Sequence, residues 1–428
     1  MARILIIGGS LGGLMAANML LRDGHDVQVM ERTPGSLDGR GAGIVTHKAL
    51  DEALLQAGLN GADNLGVAVE GRVALAQDGS TECRVDMPQV LTSWSRLYSL
   101  LKAQFPDERY HSATSLQSLT TSSDQVHATL RRDGLDFTES ADLLIACDGI
   151  RSVVRSHFAP QITSNYAGYI AWRGICDKAV LSKHTQDTLF TKFGFGVLPG
   201  EQILGYPVAG PGNATGVGER CYNTVWYRQA EENSTLIDLM TDVDGTHHPH
   251  GIAPDKVASR HISAMRSDAR RLLAPQFAEI IEKTTQPFFQ PILDLTVSEM
   301  AFGRVALLGD AAFVARPHVG MGVTKAALDA AELANSIRTY GATEIALKHY
   351  AAQRLPAGLA IVERARYLGD YIQGHRKNTS SRLGAHAGDA QWVLQHTAVD
   401  LGTGDVTLPA DDIDVPSSQP QPIESMLH

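Results

Sequence analysis

Three short stretches of this 428-residue chain combine glycine with carboxylates in patterns that can handle phosphate and sugar chemistry. The first is Gly8-Gly9-Ser10-Leu11-Gly12-Gly13, with Glu31 eighteen residues beyond Gly13. Glycines at this spacing allow a tight turn and close helix packing, and a helix starting there offers free amides and partial positive charge to a pyrophosphate. Gly8, Ser10, Leu11 and Gly12 would form that cradle. Glu31, followed by Arg32, would accept hydrogen bonds from an adenosine ribose. Ser10 occupies the place of the second glycine in G-x-G-x-x-G, and serine is small enough to keep the approach close. Read alone, the pattern is a dinucleotide fingerprint that cannot tell one dinucleotide from another, and a glycine turn without ligand is the alternative. The other two stretches are Asp148-Gly149 and Gly309-Asp310, the latter followed by Gly320-Met321-Gly322.

The elements that must position these residues are readable from the apolar pattern. Residues 3–7 are a continuous apolar run, as expected of a strand buried on both faces. A helix follows from about Leu11 to Arg22, stopped by Gly24, and residues 27–30 make a second strand ending at Glu31. Residues 143–146 and 305–308 are two further short apolar strands, each running into a carboxylate beside glycine. Such strand ends belong at the carboxyl edge of a parallel sheet, where nucleotides bind. Residues 160–300 have a different texture, with alternating, β-branched and aromatic stretches that predict an inserted antiparallel sheet. After Gly322 the chain turns helical. A second helical region is expected from about 342 to 373, interrupted near Pro356, and a polar, partly disordered tail from about 378.

Composition narrows the function classes. Lys plus Arg is 37 against 47 for Asp plus Glu, a net charge of −10 without any basic run, which argues against a nucleic-acid partner. No apolar stretch approaches the roughly 18 residues of a membrane span. Cys83, Cys147, Cys176 and Cys221 form no CxxC pair, so reduced thiols in a cytoplasmic protein are expected. His247-His248-Pro249-His250 lacks an acid or Cys partner at ligand spacing, so no metal is expected and a solvated loop is preferred.

Cys147-Asp148-Gly149-Ile150-Arg151-Ser152-Val153-Val154-Arg155 and Gly309-Asp310-Ala311-Ala312, with Pro317 and Gly320-Met321-Gly322, resemble two further motifs of the group A flavoprotein monooxygenases. With the fingerprint, all three occur in that family's order, across about residues 4–340. Further segments are similar to its 2,6-dihydroxypyridine 3-hydroxylase branch: Gly39-Arg40-Gly41-Ala42-Gly43-Ile44-Val45, Trp94-Ser95-Arg96-Leu97, Tyr166 to Gly174, and Ala315-Arg316-Pro317-His318. The resemblance implies FAD as cofactor, with NADH or NADPH as a transient co-substrate. It assigns Asp310 to the flavin ribityl chain, Asp148 to the pyrophosphate region and Arg96 to the phosphates, and it brings Gly43, Gly320, Met321 and Gly322 against the flavin. The helix starting near Gly322 would aim its amides at the ring edge where negative charge gathers on reduction.

The fold implied is α/β: a Rossmann-like FAD-binding domain with an inserted antiparallel-sheet substrate domain and C-terminal helices, as in p-hydroxybenzoate hydroxylase. Residues 1–70, 95–160 and 300–335 would form the FAD domain, 71–94 and 161–299 the substrate sheet, 336–377 the helical region and 378–428 the tail. The implied reaction is hydroxylation of a small aromatic substrate by a flavin C4a-hydroperoxide formed from O2. Tyr206 lies where the family lines its pocket, with a core tyrosine as the alternative. His318 could polarise or deprotonate a ring hydroxyl, or be fixed by backbone hydrogen bonds, and His47 is a second candidate for that base. A hydroxylated pyridine is the first substrate expectation and a phenol or benzoate ring the second. A disulfide oxidoreductase lacks its Cys pair here, and a flavin halogenase lacks its W-x-W motif. A NAD-dependent dehydrogenase leaves Gly309-Asp310 unexplained. The non-enzyme alternative is a flavin-binding redox sensor, and a homodimer is compatible with the resemblance.

Overall fold

A computed structural model of the chain describes residues 1–37, 43–60, 65–373 and 388–399. Gly39–Ala42 of the glycine-rich segment and residues 400–428 of the expected tail lie outside the described residues. The first strand, Arg3–Ile7, stands in the middle of a six-stranded sheet. Asp26–Met30 and Tyr110–His111 follow on one side, and Leu143–Ala146 and Val305–Leu307 on the other, all parallel. Ala301–Phe302 closes the edge antiparallel. Because the chain leaves the central strand in both directions, a crevice opens at its carboxyl end. All three glycine–carboxylate stretches empty into that crevice.

Helix Leu11–Arg22 and helix Gly322–Tyr340 cover one face of this sheet. A Cβ on Gly12 would come within 3.3 Å of both Ala326 and Leu308, so the glycine sets how closely the two helices and the strand end can meet. Between residues 114 and 141 the chain makes an antiparallel meander that the apolar pattern did not single out, Thr114–Thr121, Val126–Arg132 and Leu135–Ala141.

The inserted sheet has seven strands. In order across the sheet they are Phe288–Asp294, Asn165–Asp177, Cys221–Gln229, Glu201–Val208, Lys192–Leu198, Gly71–Leu75 and Thr81–Val85. Neighbours are antiparallel except Lys192–Leu198 with Gly71–Leu75. Alternation sorts its two faces. Ile170, Trp172, Ile203, Tyr222 and Trp226 pack under helices Ser259–Leu272 and Pro275–Lys283, while Tyr169, Ala171, Leu204, Tyr206, Val225 and Tyr227 face the other way. Strand Gln89–Ser93, expected in this sheet, instead pairs with Gly43–Val45 and Val67–Val69, a small sheet between the two large ones. In this stretch of the chain the seven-stranded sheet itself therefore ends at Val85, short of residue 94.

One expectation for the C-terminal part is corrected, and the partly disordered tail expected after it contains a folded segment. Helix Glu344–Ile372 runs through Pro356 without a break. Proline removes one backbone bond, but packing on both sides holds the helix: Tyr350 donates to Leu307 O at 2.9 Å, and Ile361, Val362 and Ala365 are buried. Part of the expected loose tail also folds. Helix Ala390–His396 buries Val393 and Leu394 against the seven-stranded sheet. The buried Arg72, set against Phe193 and Phe195, holds this segment by donating to the carbonyls of Leu394 (2.8 Å), Thr397 and Ala398 (2.7 Å) and to Gln89. Burial draws the guanidinium down to about 9, so it is charged at neutral pH.

Arg72→Met should therefore lower stability by about 3 kcal/mol, since three carbonyls lose a charged donor together. Limited proteolysis should then cut between residues 373 and 399 well before the rest of the chain. Unchanged cleavage kinetics would refute the tether.

Candidate active site

Close contact between strand ends builds the first turn. Gly8 adopts φ +107°, and a Cβ there would lie 2.2 Å from Cys147 O on the neighbouring strand. A Cβ on Gly13 would lie 1.9 Å from Gly8 O, which fixes how the helix seats on the turn. Ser10, where the pattern departs from glycine, has an ordinary extended backbone (φ −82°, ψ −169°), so its side chain is tolerated without strain. Its hydroxyl does not cap the helix, and the first-turn amides stay open to a ligand. Glu31 is buried, its two carboxylate oxygens accepting from the amides of Gly9 and Thr33, both at 2.8 Å. Arg32 is exposed. Arg96 sits in the first turn of helix Trp94–Gln104, whose start is capped by Ser93 accepting from the Arg96 amide at 3.1 Å.

The second and third turns differ in character. Asp148 points one oxygen at the amide of Val153 (2.7 Å), so it braces helix Val153–Phe158. Its other oxygen is buried without a hydrogen-bond partner among the described residues, and burial pushes the carboxyl up. Asp310 keeps its side chain 56 % exposed to the crevice, 3.6 Å from the fully buried ammonium of Lys325. Gly309 (φ +66°) beside it is held by Asp329, which accepts from its amide at 3.1 Å. Gly320 is left-handed, and nothing lies within 4 Å of where a Cβ of Gly322 would stand. Met321 precedes helix Gly322–Tyr340 without a side-chain cap, leaving a second open helix start at the crevice.

These turns border a cleft of about 1200 Å³ whose opposite wall is the seven-stranded sheet. Gly43, Asp310, Gly320 and Gly322 line it on one side, and Tyr206, Tyr227, Phe193, Leu204 and Arg173 on the other. The two halves meet at Gly43: a Cβ there would lie 2.3 Å from the Tyr206 ring, and its amide donates to Asn223 at 3.2 Å. Thr397 and Ala398 close one end.

The two histidines proposed as bases stand behind this wall, not on it. His318 is fully buried, with Nε2 2.8 Å from the Tyr169 hydroxyl, and burial, reinforced by Arg316, pulls it down to about 3. A neutral, walled-off imidazole is a poor proton acceptor for a ligand in the cleft, so the role expected of His318 is corrected to holding Tyr169. His47 is buried too, its Nδ1 2.8 Å from the Thr324 hydroxyl on the helix at the crevice. Tyr206 does line the cleft, and burial raises its phenol so that it stays protonated. His247 and His250 also line the cleft, while His248 pairs with Asp242 at 2.8 Å. Among the described residues no group of three or more His, Cys, Asp or Glu could hold a metal ion. No helix among them is long and apolar enough to cross a membrane. Arg173, Tyr227, Asn223 and Lys325 were not singled out from sequence. For Arg173 the signal was there, two residues after Ala171 and four after Tyr169 on one strand face.

The glycine cradle, the two uncapped helix starts and the exposed carboxylate of Asp310 fit a bound FAD, and the aromatic cleft beside them fits a small ring: a flavin-dependent oxidoreductase. Comparison with known proteins agrees. The family model for FAD binding domain-like proteins matches residues 166–294. The chain is 32% identical to 2,6-dihydroxypyridine 3-monooxygenase of Paenarthrobacter nicotinovorans, over 87% of this chain and 91% of that protein. The structure of 2,6-dihydroxypyridine-3-hydroxylase from Arthrobacter nicotinovorans superposes with a TM-score of 0.83 and 30% identity, over 96% of this chain and 98% of that one. Klebsiella pneumoniae HpxO, solved with FAD and uric acid, shares the fold at 22% identity, with a TM-score of 0.72 over 92% and 93% of the two chains. The chain belongs to the FAD-dependent aromatic monooxygenases.

Asp310→Asn should raise the FAD dissociation constant at least ~10-fold in a flavin-fluorescence titration, with the circular dichroism spectrum kept. A change below about twofold would take Asp310 out of the cofactor site. His318 binds its proton more weakly folded than unfolded, so stability should fall as pH drops from about 6.5 towards about 3, with a slope approaching ~1.4 kcal/mol per pH unit. Urea denaturation across that window should show a shallower slope for His318→Gln.

Proposed function

We propose that this enzyme hydroxylates a small, hydroxylated N-heteroaromatic ring, taking electrons from NADH or NADPH and an oxygen atom from O2. The observation that carries the reading is the cleft: an aromatic, tyrosine-bearing sheet face set opposite Gly43, Asp310, Gly320 and Gly322. The similarity to a chain named for 2,6-dihydroxypyridine supports a pyridine over a benzoate ring. When bound, FAD supplies the two-electron chemistry that links nicotinamide oxidation to O2 activation.

The protein's part is binding, orientation and exclusion of water. In this reading Gly8, Ser10, Leu11 and Gly12 hold the pyrophosphate, with Arg96 near it and Glu31 and Arg32 at the adenosine ribose. Asp310 serves the ribityl chain, Lys325 beside it holds that carboxylate in place, and the start of helix Gly322–Tyr340 faces the ring edge. Asp148 acts indirectly, through the helix it braces. Tyr206 and Tyr227 orient the substrate as hydrogen-bond donors. His47 fixes Thr324 on the helix beneath the ring. The glycine-turn sheet and its helices form the FAD domain and the seven-stranded sheet the substrate domain. Cytoplasmic residence and a homodimer belong to the same reading.

The test is NAD(P)H oxidation by the flavin-loaded protein against a panel of hydroxypyridines, phenols and benzoates. Acceleration by a hydroxypyridine, with hydroxylated product, is the expected outcome. Acceleration by a benzoate alone would move the substrate to the other ring class, and a flavin-loaded protein that answers to no ring compound would favour a redox sensor.

A further inference from the structure

Arg173 is the one charged side chain that the seven-stranded sheet turns into the cleft among the described residues. It lies on strand Asn165–Asp177 opposite Val225 and Phe288, on the face that also presents Ala171, Leu204, Tyr206 and Tyr227. The sheet face around it is otherwise mostly apolar or aromatic, with Glu232, His247 and His250 lining other parts of the cleft. One guanidinium nitrogen donates to Gln290, itself part of the cleft wall, at 2.8 Å. Its Nε is buried and has no hydrogen-bond partner, and no carboxylate among the described residues lies within ion-pair distance. Arg228 and Arg316, by contrast, are paired with carboxylates, Glu201 and Asp268 for the first and Asp294 and Asp370 for the second, and Arg72 spends its donors on backbone carbonyls.

A partly buried cation beside apolar rings loses hydration, and a cationic wall in a low-dielectric cleft is compensated best by an anion that enters it. Guanidinium presents a planar fork of donors that matches two adjacent acceptors on a flat ligand. Tyr206 and Tyr227 reinforce the match. Burial raises both phenols, Tyr227 to about 12, so they stay protonated and donate. The sheet face thus offers three sets of donors and no acceptor of comparable strength.

We infer that Arg173 is the substrate-recognition residue of this cleft, and that the ring binds as its anion, with the ionised oxygen and adjacent ring nitrogen against the guanidinium between Tyr206 and Tyr227. The inference rests on the hydroxylated-ring reading above and adds the charge state and the residue that selects it. An ionised hydroxypyridine is also the more electron-rich form of the ring, so the residue that selects the anion selects the form that reacts with an electrophilic oxygen. No base in the cleft wall is needed for this, in keeping with the burial of His318 and His47.

The experiment is calorimetric titration of the flavin-loaded protein, without O2, with two near-isosteric probes: 2,6-dihydroxypyridine, in buffer alkaline enough to ionise it, and uncharged 2,6-diaminopyridine. The natural protein should prefer the anion. R173Q should lose at least ~10-fold in affinity for dihydroxypyridine while its affinity for diaminopyridine changes less than about twofold, and R173K should keep part of the preference. Equal loss for both probes in R173Q, with no rescue by R173K, would mean a packing role and overturn the inference. A natural protein without preference for the anion would overturn it as well. If R173Q does not fold, the inference is decided by R173K, where retained anion preference supports it and an unchanged ratio of affinities on further substitution to Met refutes it. A natural protein that binds ionised benzoates but no hydroxypyridine, with that binding lost in R173Q, would sustain anion recognition while removing the pyridine from the proposed function.

Discussion

Backbone contact between two parallel strand ends sets the spacing of everything around the crevice. Gly8 and Cys147 approach so closely that a single methyl group at residue 8 would have to overlap the Cys147 carbonyl, and Gly13 bears on Gly8 in the same way. Strands at this spacing bring the turns carrying Ser10, Asp148 and Asp310 to one edge, and the helix from Leu11 and the helix from Gly322 start at that edge with their amides uncapped. A larger residue at 8 or 13 would displace a strand end, and with it the neighbouring turn, because well-packed interiors transmit such shifts with little absorption. The Ser10 turn and the Asp310 carboxylate are thus one geometric unit, although they lie 300 positions apart in the chain.

The second constraint is the joint between the two large sheets. Gly43 leaves room for the Tyr206 ring and donates its amide to Asn223, so a segment of the FAD side is pinned directly to the sheet that faces it. The small sheet of Gly43–Val45, Gln89–Ser93 and Val67–Val69 leads straight into this contact. Tyr206 therefore has two duties, filling the joint and lining the cleft. The buried hydrogen bond between His318 and Tyr169 anchors the same wall from behind.

Much of this was legible in the residues themselves. The four apolar strands ending in glycine or acid, the first helix and the helix after Gly322 follow from periodicity and turn chemistry, since these are local properties of the chain. The sheet face of the substrate side was legible as texture only. What was hidden is what depends on pairing. Whether strand Gln89–Ser93 joins the large sheet or the small one is decided by which partner edge is free, and no pattern within the strand records it. The burial of His318 depends on Tyr169 and Tyr227 arriving from a distant strand, so a histidine beside the Gly-Met-Gly turn reads as exposed chemistry from its neighbours alone. Pro356 read as a stop because the loss of one backbone bond is local, while the packing that outweighs it is not.

The tether at Arg72 has an implication for how the protein is made. Ala398 donates its amide to His318 O at 2.9 Å, and Thr397 and Ala398 close one end of the cleft. On a translating ribosome the FAD-side strands, the glycine turns and both large sheets are synthesised before these residues emerge. Until they do, Arg72 lacks the three carbonyls that accept from it in the folded chain. Synthesis from the N-terminus thus lays down the glycine turns and both large sheets first, and the wall that Thr397 and Ala398 give the cleft comes only when those residues have been made.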